Sequence, residues 1–322
     1  DHDSPVLQDM GNYWFGSFEA MACPCEILMS GVSQATASQL TKIAAEETWR
    51  IEQKFSRYVQ GNTLDQINLS NSTPIDVDAE TARLIDYAHK CHEISAGKFD
   101  ISTGVLRKAW QFDGGDNIPD DATIKSLLNK VGLHQVEWLD PQLRLKESME
   151  LDFGGIGKEY AVDRTLLLLI NYLKQSTTEN GSILINFDGD LHCSGPQQDG
   201  SPWKVGIEQT HLNVDQHSLA TQPSIPDNRA AITNNIGLVL DLSQGALATS
   251  GDSRRFLLKE GVRYSHILDP TTGWPVPNAP HSVTVAATTC TQAGVLATFA
   301  LLEGKNAEAF LEKQDVRFWV QR

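Results

Sequence analysis

A chain of 322 residues can bury a large core, and its 40% hydrophobic and 21% charged content is ordinary for a soluble globular protein. Lys plus Arg number 26 against 41 Asp plus Glu, a formal net charge of −15, which argues against nucleic acid or anionic lipid as the main partner. A polyanionic ligand would need a local cationic device, either a metal ion or oriented backbone N–H groups.

In chain order, residues 1–14 read as a flexible tail ahead of a single domain over 15–322. Phe15–Ser30 alternates as a strand, and Ser33–Phe55 places Leu40, Ile43, Ala44, Ile51 and Phe55 on one face of an amphipathic helix. A second helix is expected over Ala79–Ala96, stopped by Gly97. Met149–Phe153 suggests a strand that feeds Gly154-Gly155 and a helix over Lys158–Lys174. Ser182–Asn186, Trp203–Glu208 and Ser282–Ala287 read as strands, and Thr291–Leu302 as a helix. The polar stretch 209–235, with Pro223 and Pro226, reads as a loop or insertion. Helices and strands mix without regular βαβ alternation, which favours an α+β fold. The apolar run at Leu166–Ile170 is too short to cross a bilayer, and Cys23, Cys25, Cys91, Cys193 and Cys290 form no disulfide framework.

Five segments could carry chemistry, of which Gly97-Lys98-Phe99-Asp100-Ile101-Ser102-Thr103-Gly104 could equally be a helix-to-strand connection. Asp152-Phe153-Gly154-Gly155-Ile156-Gly157-Lys158 would aim N–H groups and a helix dipole at a phosphate, or be a simple tight turn; it is not a Walker loop. Thr249-Ser250-Gly251-Asp252 is a hydroxyl-rich turn suited to a phosphate or sugar, or a capped helix start. Tyr58 could stack on a flat ring or sit in the core. His266-Ile267-Leu268-Asp269-Pro270-Thr271-Thr272-Gly273 holds an imidazole and a carboxylate in a rigid turn, beside a ligand or merely at a hairpin corner. Two further groups point elsewhere: His89 and His92 share a helix face without a second ligand pair for zinc, and no G-x-S-x-G elbow is present.

Taken in order, these segments resemble the ApbE family of flavin transferases from about Phe15 to Gly304. The matching stretches are Met21–Ile27, Phe55–Tyr58 with Asn68, Gly97–Gly104 leading to Trp110, Asp152–Asp163, and Gly189-Asp190. They continue through Trp203–Glu208, Thr249–Gly251, His266–Gly273 and Ser282–Thr298. The resemblance implies an α+β, ApbE-like fold related to the T-fold, with mixed or antiparallel sheets and packed helices. It implies transfer of FMN from FAD onto a Thr or Ser hydroxyl of an acceptor protein, with release of AMP and a requirement for Mg²⁺. By resemblance the general base is His266, with Asp269 helping to form the site, and Tyr58 packs on the isoalloxazine. Met21, Asp100, Gly155, Lys158, Asp190, Thr249, Ser250 and Gly251 match positions lining the FAD pocket. The carbonyl of Gly157 and the side chain of Thr298 match positions that serve the metal.

Departures from the family pattern cluster at that metal. Gly294 stands where a carboxylate is usual, and Glu159 stands where Gly is usual, so either Glu159 supplies the missing carboxylate from the other side, or waters take its place, or the chain is a divergent member with little activity. Asp188 replaces a Gly, and Cys23 and Cys25 replace a common Thr and Tyr. Two other readings remain open: a metal-dependent FAD pyrophosphatase with water as nucleophile, and an FAD-binding protein without turnover. The expected partner is an acceptor protein carrying a Thr/Ser flavinylation motif, for instance a membrane redox subunit; no such segment occurs within the chain. Family members are often exported, and the start at Asp1 rather than Met fits a removed leader. The expected location is therefore periplasmic or anchored at the outer face of the inner membrane, with the cytoplasm as the alternative.

Overall fold

The computed structural model describes residues 2–208, 236–252 and 255–322, so the expected loop at 209–235 lies outside the described residues. Its main sheet is antiparallel throughout, and its strands lie side by side in the order in which the chain makes them. They are β1 (Val6–Asp9), β2 (Trp14–Ala20), β3 (Cys23–Ser30), β4 (Ser182–Phe187), β5 (Asp190–Cys193), β6 (Gly245–Gly251), β7 (Ser282–Ala287) and β8 (Arg317–Gln321). The helices are α1 (Gln34–Phe55), α2 (Thr63–Asn68), α3 (Ala79–Ile94), α4 (Asp121–Leu128), α5 (Gly157–Ser176), α6 (Cys290–Leu302) and α7 (Ala307–Glu312).

Alternation along the strands gives the sheet two apolar faces. Ile27, Met29, Ile183, Ile185, Val283 and Val285 pack against Leu40, Ala44 and Ile51 of α1 and Leu166 and Leu169 of α5. On the other face Leu28, Leu184, Leu191 and Leu247 are covered by Trp203, Val205 and Leu242, from the hairpin of Trp203–Glu208 with Ile236–Leu242. A smaller core joins Trp110, Val105 and Leu106 to α4 and to Leu257, Tyr264 and Trp274. It carries the His266–Gly273 turn, because the Trp110 Nε1–H donates to the Gly273 carbonyl at 2.8 Å.

Helix ends follow local chemistry. Ser33 caps α1 by accepting from the Thr36 N–H, and Asp78 caps α3 through Glu80 and Thr81. The end of α3 at Ile94 is closed by Gly97, whose φ is +82° and whose N–H returns to the His92 carbonyl at 2.8 Å.

Some expectations are corrected. Residues 1–14 are not all tail: Val6–Asp9 adds an edge strand to β2, and Leu7 packs on the main core. Phe15–Ser30 is a hairpin, turned at Met21 and Ala22 with φ of +53° and +58°, and the Met21 N–H is held by Glu52 Oε1 at 2.8 Å. The signal was hidden because neither turn residue is Gly, Asn or Asp. The expected strand at Met149–Phe153 joins no ladder; instead Asn68 brackets Leu151, accepting from its N–H at 2.7 Å and donating to its carbonyl at 3.0 Å. The Thr249–Gly251 segment is neither turn nor helix cap but the end of β6, paired with β7.

Among the described residues no helix is long and apolar enough to cross a membrane. α5 and α6 are joined by one carboxylate. Asp163 accepts from the Cys290 N–H at 2.8 Å, the Thr291 N–H at 2.9 Å and the Thr291 hydroxyl at 2.6 Å, and pairs with His192 Nδ1 on β5 at 2.6 Å. Burial opposes its ionisation, but these donors outweigh burial and hold the carboxyl below the usual Asp range. Its contribution is present above the unfolded-state value of about 3.9 and is lost as pH falls through the lower folded value. Asp163→Ala should therefore cost about 3–5 kcal/mol in urea unfolding at neutral pH, and less of that difference should remain in acid.

Candidate active site

One open cavity of about 1820 Å³ runs from the β2–β3 turn to the His266 turn. Its wall includes Met21, Tyr58, Asp100, Gly155, Gly157, Lys158, Glu159, Asp190, Thr249, Ser250, Gly251, His266 and Thr298. Segments far apart in the chain thus meet at one place. Asp269 is not on this wall: its Oδ1 accepts from the Thr271 N–H at 2.8 Å and the Thr271 hydroxyl at 2.6 Å. Its carboxylate shapes the turn instead of facing the ligand space.

His266 follows the strand Val262–Ser265 and is half-buried, with Phe112 edge-on at 6.3 Å. Its Nδ1 lies 3.2 Å from the Arg255 carbonyl, and since a carbonyl only accepts, Nδ1 carries the proton and Nε2 is the basic nitrogen. Burial, then the nearby Arg255 charge, pushes its pKa down to about 4. The ring is therefore neutral at pH 7. Asp252, whose charge also reaches His266, is braced by Arg263 at 3.1 Å and by His281 at 3.2 Å. Arg263 in turn lies 3.7 Å over the Phe256 ring.

On the opposite wall Lys158 Nζ is 2.8 Å from Asp190 Oδ2, and Asp190 Oδ1 accepts from the Thr249 N–H at 3.1 Å. Asp190 is 1% exposed. Burial alone would lower the Lys158 pKa, but the Asp190 carboxylate outweighs it, so the ammonium is held above its usual range. The hydroxyls of Thr249 and Thr284 meet at 2.7 Å, and those of Ser250 and Thr298 at 3.1 Å.

The glycine loop offers fewer free donors than its sequence suggests. The Gly154 N–H goes to Asp152 Oδ1 at 2.8 Å, and the Ile156 and Gly157 N–H groups both turn back to the Phe153 carbonyl. The turn consumes them. A Cβ at Gly155 would make a tight contact, 3.1 Å from the Phe99 ring. Asp100 has its carboxylate taken up by Ser102 and by the Leu133 N–H at 2.9 Å, so it shapes the wall from behind. Tyr58 is 75% exposed at the rim, its hydroxyl accepting from Arg57 at 2.8 Å. It is not a core residue.

With the wall complete, the family comparison is decisive: the ApbE family model matches residues 21–319. The chain belongs to the ApbE family. It is 28% identical over 261 residues to the FAD:protein FMN transferase of Vibrio cholerae serotype O1, covering 79% of this chain and 70% of that one. Over 304 residues it is 24% identical to the FAD:protein FMN transferase of Escherichia coli K12, covering 92% of this chain and 76% of that one. Among solved structures it is similar to the ApbE protein of Thermotoga maritima, with TM-score 0.80, 27% identity, and coverage of 96% and 94%. The flavin transferase ApbE of Vibrio cholerae shares the fold, with TM-score 0.75 at 24% identity, covering 99% of this chain and 94% of that one.

In this ApbE chain Glu159 is buried on the first turn of α5, and its Oε2 has no hydrogen-bond partner among the described residues. Burial first, and then the Asp190 charge, raises its pKa to about 8. No group of three or more His, Cys, Asp or Glu side chains suited to a metal occurs among the described residues. A single orphaned carboxylate beside Thr298 and the Gly157 backbone still fits one hard divalent ion that takes mixed oxygen donors.

Sequence reasoning missed Arg57, Asp152 and Arg255. Arg57 Nη1 is 2.5 Å from Asp152 Oδ2, a pairing across 95 positions that only the fold creates. Arg255 acts through its carbonyl, a group every residue has, so no side-chain signal could have found it. Replacing Lys158 with Met should leave Asp190 as an unpaired buried charge and cost about 3–5 kcal/mol in chemical denaturation; adding Asp190→Asn should recover most of that loss.

Proposed function

We propose that this chain is an FAD:protein FMN transferase that moves FMN from FAD onto a Thr or Ser hydroxyl of an acceptor protein and releases AMP. The observation that carries this reading is His266, neutral on the wall of a cavity large enough for a dinucleotide, with Nδ1 tied to a carbonyl and Nε2 left basic. A hydroxyl is a weak nucleophile at phosphorus unless its proton is taken in the transition state. In the step, the acceptor oxygen bonds to the FMN-side phosphorus, the bridging P–O bond breaks, AMP leaves with that oxygen, and Nε2 holds the proton. Tyr58 at the rim offers a ring face to the isoalloxazine, and Met21 closes the turn beneath it. The residues that would hold a divalent ion are Gly157, through its carbonyl, Thr298 and Glu159. Such an ion, when bound, neutralises charge on the pyrophosphate. Names of relatives in this family support the substrate pair of FAD and a protein. An acceptor presented by a membrane redox subunit, and a location on the outer side of the inner membrane, complete the proposal.

The test is to incubate the protein with FAD, Mg²⁺ and an acceptor domain, then assay covalent flavin fluorescence on a denaturing gel together with AMP. Labelled acceptor with matching AMP supports transfer, whereas FMN and AMP without label would mean hydrolysis. His266→Ala should lower transfer by about 10²–10⁴-fold while leaving FAD affinity nearly unchanged. With a His266 pKa of about 4, the base form persists in mild acid. Single-turnover transfer should therefore show no loss from this group between about pH 7 and about pH 5, and should fall as pH drops past about 4. A rate that halves near the ordinary His value of about 6.5 would assign the base elsewhere.

A further inference from the structure

The side chain of Glu159 lies flat against the backbone of α6. A Cβ built on Gly294 would sit 2.5 Å from its Oε1 and 2.6 Å from its Cγ, so the carboxylate occupies the space that any side chain at 294 would need. Gly294 precedes Thr298 by about one helical turn, which puts both on the same side of α6. The Thr298 hydroxyl, 3.1 Å from that of Ser250, lines the cavity together with Glu159 and Gly157. Oε2 of Glu159 is buried without a hydrogen-bond donor among the described residues, a costly state for a carboxylate. The adjacent ammonium of Lys158 gives Oε2 no hydrogen bond, its nearest carboxylate being Asp190 at 2.8 Å. The fold therefore holds a carboxyl without a hydrogen-bond partner on the same cavity wall as a hydroxyl and a carbonyl, where a divalent ion that displaced its proton would supply the counter-charge. Carboxylate, hydroxyl and carbonyl are hard donors of the kind that take Mg²⁺ or Mn²⁺.

We infer that Glu159, reaching across the bare backbone of Gly294, is the carboxylate ligand of a divalent-cation site completed by Thr298 and Gly157, and that positions 159 and 294 can hold that carboxylate only one at a time. This deepens, and rests on, the metal-assisted reading of the cavity. It has a consequence that a merely structural Glu159 would not have. Placing Asp at 294 while Glu159 remains should harm the site, and the same Asp should rescue it once Glu159 is cut back.

Mn²⁺ is the probe, its uptake read from loss of the free-ion EPR signal, with and without FAD and with no acceptor present. Glu159→Gln should weaken Mn²⁺ binding by about 10-fold or more. Gly294→Asp alone should also weaken it, and E159A combined with G294D should bind more tightly than either E159Q or G294D. Thermal unfolding in EDTA checks folding: E159Q should melt at or above the wild-type temperature and should lose the rise that Mn²⁺ gives the wild type. Wild-type Mn²⁺ affinity in E159Q overturns the inference. So does a folded double variant no better than G294D, a lowered melting temperature of E159Q in EDTA, or a wild-type protein that takes up no Mn²⁺ in either condition. Should the double variant not fold, E159Q alone decides. Because no acceptor is present, Mn²⁺ binding that depends on Glu159 would stand even if no flavin transfer were found.

Discussion

The carboxylate of Asp163 holds together the parts on which the cavity depends. It lies on α5, caps the first N–H groups of α6 and binds His192 of β5, so a single side chain sets the spacing of two helices and a strand. That spacing brings the first turn of α5, with Gly157, Lys158 and Glu159, against the face of α6 that carries Gly294 and Thr298. Small residues allow the approach: Ala293, Gly294 and Ala297 are buried and present almost no side chain to α5 or the sheet. A helix start is an electrostatic resource only if something holds it in place, and here a buried acceptor does so.

The cavity also shows how a protein of net charge −15 can present a site for an anionic dinucleotide. Of the cations on its wall, Lys158 is paired with Asp190 and Arg57 with Asp152, while Arg255 lies beside His266. The glycine loop spends much of its N–H supply on its own turn. The wall also carries hydroxyls, a neutral imidazole and the buried Glu159 carboxyl, whose Oε2 has no hydrogen-bond partner among the described residues. The same pairs fix the shape of the wall before any ligand arrives, which is the condition for electrostatic stabilisation without reorganisation during the reaction.

Much of the fold was legible because helical periodicity and caps are local. Ser33, Asp78 and Gly97 mark ends that the structure places within a few residues of expectation. The failures have local causes as well. The β2–β3 turn uses Met21 and Ala22 in the left-handed region, where side chains carry strain and signal nothing, and that strain lies on the cavity wall. Met149–Phe153 looks like a strand, yet Leu151 bonds to the Asn68 side chain, Asp152 to the Ile101 carbonyl and Phe153 to the glycine turn, so no neighbouring strand is involved. For the cavity, the ordered motifs pointed to residues that do share one wall. The Asp269 carboxylate closes its own turn, accepting from the N–H and the hydroxyl of the Thr two residues on.

By itself, the sequence determined the element types, the acidic surface and the set of motifs by which the family is known, since these depend on residues near one another in the chain. Tertiary structure decided which groups are free to act. Arg255 contributes only a carbonyl that selects the His266 tautomer, Asp100 is spent behind the wall, and Glu159 faces α6 where Gly294 leaves room. Charge state, hydrogen-bond occupancy and available volume are properties of an assembled environment. No spacing along the chain encodes them, because each is set by atoms that arrive from other elements.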